Sequence, residues 1–282
     1  MPHRFSYHCD IFCEIEQAKI FQVWTPRNNL RTVTITLPES PLFCHRGDHK
    51  NLFQYDGCSQ VTQAILRSMR DLTELFLAIP GAQANADGVK VEDDERGSRC
   101  LLEYRHKAND IFTYLVSLPS ATNPGHVSSQ DWVYEACRIA ALIYTIAIIE
   151  RVPFSVAVRS SIFSNISGSG SVANSAATHQ SLAISPVEAL FEALKRTDVS
   201  NVWRDMAGVL YWVCAVGAAA ARTPTALDPI HQSQQVWVRQ CLVMHGARTL
   251  IILLFQHPMP IIMAQQQLLR VQEVLASQDS GW

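Results

Sequence analysis

Glu135 and Arg138 stand three residues apart inside an otherwise apolar run, residues 132–144. On a helix that spacing puts both side chains on one face, close enough to pair. Ala136, Ala140, Ala141 and Ile143 surround them and leave little side chain to hold neighbouring helices apart. The chemistry this offers is architectural: a core helix with an internal ion pair, in which Glu135→Ala destabilises the fold if Arg138 is buried.

Other reactive residue types are more scattered. Cys9 and Cys13 lie four apart, and Cys44, His45, His49 and Cys58 make a second loose group. A structural zinc site needs four ligands converging at about 2 Å, usually from two tight pairs, and neither group supplies them. They read as loop residues, and no metal is assigned. The eight cysteines, at 9, 13, 44, 58, 100, 137, 214 and 241, follow no disulfide framework and read as free, mostly buried thiols in a reducing compartment. There is no Gly-x-Ser-x-Gly elbow and no His-Glu-x-x-His. The histidines at 106, 126, 179, 231, 245 and 257 are isolated from paired carboxylates in sequence. His245 and Arg248, one turn apart in an apolar helix, read as boundary residues. No catalytic residue and no cofactor is assigned, and the chain is expected not to be an enzyme. A site assembled by folding from dispersed residues is the enzymatic alternative.

The elements that must position these residues are helical. Ser59 can cap a helix over residues 60–79 whose Val61, Ile65, Leu66, Met69, Leu72, Leu75 and Phe76 form one stripe. Residues 99–118 are amphipathic, with Leu101, Leu102, Tyr104, Ala108, Ile111, Phe112 and Leu115 inward and Pro119 as the stop. Ser128 and Asp131 have capping-box spacing and open the helix of Glu135 and Arg138, which Pro153 closes. Ser185, Pro186 and Glu188 combine three start signals for a helix to about Arg196. Further helices are expected over 201–221, rich in Gly and Ala, over 229–257 behind Asp228-Pro229, and over 261–276.

Residues 82–97 are acidic with almost nothing to bury, and residues 160–181 are rich in Ser, Gly, Ala and Asn; both read as flexible loops. An acidic activation segment fits the first poorly, for want of aromatics, and a phosphate loop fits the second poorly, for want of a lysine or a preceding strand. Residues 1–55 form an irregular arm in which 32–37 alternate like a strand and 12–24 partly follow helical spacing. The expectation is an all-α fold: one multi-helix domain of about seven helices over residues 56–282, behind that arm.

Composition limits the function classes. Twenty-three basic against 25 acidic residues give a formal net charge of -2, so no whole-chain attraction to phosphate exists and direct DNA contact is not expected. With 48% apolar and 17% charged residues, several helices must be buried on most sides. Residues 1–10 lack the basic start and apolar run of a secretory signal, which points to an intracellular protein. The apolar runs at 139–149, 206–221 and 250–263 fall short of the about 20 residues a spanning helix wants, so no membrane span is expected. A membrane-associated helical protein is the alternative that these runs suggest.

Residues 134–144, with Glu135, Cys137, Arg138 and Tyr144, resemble the signature helix of the fungal-specific transcription factor domain, the helical regulatory region of fungal zinc-cluster regulators. Residues 202–221 are similar to that family's later helix through Trp203, Leu210, Trp212 and Gly217, and residues 69–73 give a weaker third match. The resemblance spans about residues 50–275. It implies a regulator of RNA polymerase II genes, often metabolic or secondary-metabolite genes, located in the nucleus alone or shared with the cytoplasm. Its implied partners are proteins of the transcription machinery or a DNA-binding regulator. It also leaves room for a small-molecule effector between helices, where Trp203, Trp212 and Trp237 are available, although core packing is their plainer role. The family's six-cysteine zinc cluster has no counterpart here, so no DNA-binding residue carries over. On this reading the chain is a fragment of a longer factor, the product of a misassigned gene, or a regulator that reaches DNA only through partners.

Overall fold

The computed structural model describes residues 39–43, 58–79, 94–160, 163, 185–199, 203, 205–222 and 229–277. Among these the protein is all-α, with eight helices and no strand beyond one isolated bridge between Ser40 and Phe43. In chain order they are α1 (Gln60–Leu77), α2 (Asp94–Ser117), α3 (Trp132–Glu150), α4 (Phe154–Ala157), α5 (Pro186–Lys195), α6 (Ala207–Ala220), α7 (Pro229–Gln256) and α8 (Pro258–Ser277). The single turn of α4 is the helix beyond the seven expected from sequence. The candidate strand at 32–37, the candidate helix at 12–24 and most of both expected flexible loops lie outside the described residues.

Local chemistry explains the helix starts. The Ser59 hydroxyl accepts from the Thr62 amide at the head of α1. Ser185 and Glu188 form a complete capping box at α5, with Pro186 in the first turn, where its missing N–H costs no helical bond. The head of α3 differs from the expected Ser128 box. Asp131 is itself the cap, accepting from the Tyr134 amide at 2.9 Å. Ser128 lies in the turn before the helix, where its carbonyl accepts from the Asp131 amide at 3.2 Å. At its far end α3 stops on Arg151, in the left-handed region at φ 52°, two residues before Pro153.

Three other boundaries move. Helix α2 starts at Asp94, so the last four residues of the expected acidic loop are helical. Helix α6 starts at Ala207 rather than near 201, because Trp203 sits in a preceding turn and donates its indole N–H to Thr197 Oγ1 at 2.9 Å. Helix α8 starts at Pro258, with both Pro258 and Pro260 in the first turn, where proline is tolerated.

Helix α3 is central: α1, α2, α4, α5 and α6 all pack on it. Every residue from Val133 to Ile148 is buried. Helix α6 lies between α3 and α7, and α8 joins the ends of the bundle by touching both α7 and α1. Close packing of α6 depends on Gly217, where an added Cβ would stand 2.7 Å from Leu190 Cδ2 and 3.1 Å from Leu242 Cδ1. Of the inward positions expected on α2, Leu102 is the exception at 64% exposed; Tyr104, Ala108, Ile111 and Leu115 are buried.

Candidate functional site

Glu135 and Arg138 form a bidentate pair in the core. Arg138 donates from Nε to Glu135 Oε2 at 2.9 Å and from Nη2 to Oε1 at 2.7 Å, and both residues are buried. The carboxylate has two more donors: the Ser120 hydroxyl at 2.8 Å and the Ala121 amide at 3.0 Å. Beside them Tyr134 donates its hydroxyl to the Pro119 carbonyl at 2.7 Å. The pair therefore fixes the chain that leaves α2 as well as bracing α3. Burial pushes the Glu135 carboxyl up, but the Arg138 hydrogen bonds and charge, with Ala121 and Ser120, more than offset it, and the carboxyl sits below its ordinary range.

The other resemblance residues converge in part. Tyr144 is fully buried, stacks on Phe154 at 5.7 Å and meets Trp212 edge-on at 5.9 Å. Its hydroxyl shares a 2.8 Å hydrogen bond with Thr73, whose hydroxyl also donates to the Met69 carbonyl. Thr145 adds a 3.5 Å contact to the Met69 sulfur. Parts of all three resembling stretches thus meet at one place. Trp203 is buried in the same core with its indole N–H donated to Thr197, and the indole N–H of Trp212 has no hydrogen-bond partner. Cys137 is a buried free thiol, pushed well up by burial first and then by Cys58 and Asp131. It is an inert core residue rather than a nucleophile. Trp203, Trp212 and Trp237 make no ring contact with one another.

Two further features emerge from the fold. A shallow cavity of about 150 Å³ is lined by Pro41, Leu42, Phe43, Arg70, Glu74, Met263 and Gln267. Arg70 pairs with Glu74 at 2.7 Å, while its Nε and Nη1 are buried without partners. The second feature is the outward face of α7. Its inner side buries Val238, Leu242, Thr249 and Leu253, yet Val236, Trp237, Val243, Met244, Ile251 and Ile252 are exposed. Heptad spacing of Trp237, Met244 and Ile251 is the signal that could have found it.

Among the described residues two helices are long and apolar enough to cross a membrane by length and composition, Trp132–Glu150 and Gln232–Gln256. The first is 89% buried within the protein, as a core helix is, and the second 28%. Among the described residues no three His, Cys, Asp or Glu side chains gather as metal ligands.

Comparison with protein-family models, curated proteins and solved structures finds no match to this chain. The fold and these local geometries are therefore what bears on function.

Proposed function

We propose that this chain is the helical regulatory domain of a transcriptional regulator of RNA polymerase II genes, working as a non-enzymatic protein-interaction module. The observation that carries the interaction reading is the uncovered apolar face of α7, which presents a surface rather than a cleft. The transcriptional reading draws on the resemblance of residues 69–73, 134–144 and 202–221, and the meeting of Met69, Thr73, Tyr144 and Trp212 at one point is what a shared architecture would produce. A nuclear place of action, alone or shared with the cytoplasm, and protein partners in the transcription machinery or a DNA-binding regulator belong to the same proposal, as does control of a metabolic or secondary-metabolite gene set. Deleting the gene and profiling transcripts, together with purification of the protein from nuclei, tests it. A defined set of changed transcripts and named transcription components are expected; unchanged transcripts with no such component would overturn it.

The low burial of Gln232–Gln256 favours one second reading, a helical protein held at a membrane. Carbonate extraction separates the two. Release into the supernatant is expected, and retention in the pellet would favour the membrane.

A further inference from the structure

We infer that the outward face of α7 docks an acidic amphipathic helix of another protein, an inference that rests on the interaction reading above and names the chemistry of the partner. Val236, Trp237, Val243, Met244, Ile251 and Ile252 repeat at intervals that keep them on one side of the helix. Their exposures run from 41% to 72%. That leaves roughly 600 Å² of side chain uncovered, most of the ~800 Å² that one partner contributes to an ordinary protein interface. The seven-residue interval from Trp237 to Met244 to Ile251 is the spacing of a seam made against another helix.

Charge decides which helix. Arg248 is exposed within the stripe, four residues from Met244 and Ile252 and three from Ile251. No carboxylate of the described residues pairs with it. Residues 229–272 contain Arg239, Arg248 and Arg270 and not one Asp or Glu. A partner that covers the stripe takes water from Arg248, and a covered cation without a counter-charge is costly. The partner must therefore bring a carboxylate among its own apolar residues.

The other occupants fail on the same residue. A second copy laid face to face brings another Arg248, and residues 229–272 of that copy bring no acid. A bilayer would meet Arg248 inside the apolar stripe, not at the flank from which an arginine reaches headgroups. The chain's own acidic stretch around residues 87–95 has only Val89 and Val91 as sizeable apolar residues to lay against the six.

Fluorescence anisotropy with the full chain tests the inference. Two labelled peptides of about three heptads share a leucine stripe; one is flanked by Glu and the other by Lys. The Glu peptide is expected to bind about tenfold more tightly or better, and Arg248→Glu, checked for unchanged helicity, to reverse the preference. Equal binding of the two peptides, or no reversal, overturns the acidic partner while leaving a binding face in place. Binding of neither peptide, with capture by phosphatidylserine vesicles or self-association lost on Met244→Ser, overturns it in favour of a membrane or a second copy. Binding of neither, with no such capture or association, also overturns it. The transcript response to deletion is read separately, so failure of the partner chemistry and failure of the transcriptional reading are distinguishable.

Discussion

Helices α3 and α7 are built from similar material and meet opposite fates. Both are long and apolar enough to pass for membrane spans, yet five helices enclose α3, whereas α7 leaves half its circumference bare. Each carries arginine among apolar side chains. In α3 the cation is buried against Glu135 with every carboxylate oxygen engaged; in α7 Arg248 is exposed and no carboxylate of the described residues pairs with it. The difference teaches that a charge in an apolar helix has no fixed meaning. Inside, with its counter-ion, it braces the fold; outside, without one, it marks where a counter-ion is to come from.

The largest effect should come from breaking the inner pair. Glu135→Ala strands Arg138 in the core and leaves the buried Ala121 amide unanswered, at a cost of about 3–5 kcal/mol. Thermal denaturation should show a fall of roughly 10 °C. Replacing both partners, Glu135→Leu with Arg138→Leu, should be milder, because only the amide and the Ser120 hydroxyl lose a partner. A double variant less stable than Glu135→Ala would mean that the pair contributes net stability and is more than a tolerated burial. Acid offers the same test without mutation. The folded carboxyl titrates below its ordinary value of 4.5, so between the two values the unfolded chain holds more protons and stability falls as pH falls. Urea titrations from about pH 6 to about pH 3 should therefore show a steeper acid loss in the native protein than in Glu135→Gln.

Gly217→Val comes next. The added atoms run into Leu190 and Leu242, whose side chains hold α5 and α7 against α6. Overpacking of this kind costs about 1–3 kcal/mol, read from the urea midpoint. An unchanged midpoint would show that the two leucines can turn aside and that α6 does not need a bare backbone there. Smaller still is Tyr144→Phe, which removes one buried hydrogen bond but leaves Thr73 bonded to the Met69 carbonyl. About 1 kcal/mol is expected, with the ring contacts to Phe154 and Trp212 kept.

Much of α3 was legible in the sequence, and much of α7 was not. Glu135 and Arg138 lie within one turn, so local spacing alone implies their pairing, and Ser59 and Ser185 announce their helices by chemistry confined to four residues. Ser120 and Ala121 gave no signal, because they reach Glu135 only once the chain after α2 has folded back. The start of α6 escaped for a similar reason: Trp203 is held out of the helix by Thr197, a partner outside the turn that local pattern describes. In α7 apolar residues occupy both faces, so composition could not say which face meets α6 and which meets solvent. Residue types record what a helix can bury, and only the neighbours decide what it does bury.

The smallest stability effect should be the most informative about α7. Ile251→Ser removes a large apolar side chain that is 55% exposed. With no cavity to open, the change should stay within about 0.5 kcal/mol of the native protein, whereas a comparable truncation in α3 would cost several times more. Binding of the Glu-flanked peptide should weaken at the same time, separating an interface residue from a core residue in one variant. A loss above about 1 kcal/mol would mean that Ile251 is already covered in the folded chain. In that case the face of α7 would be a second core, and its contrast with α3 would disappear.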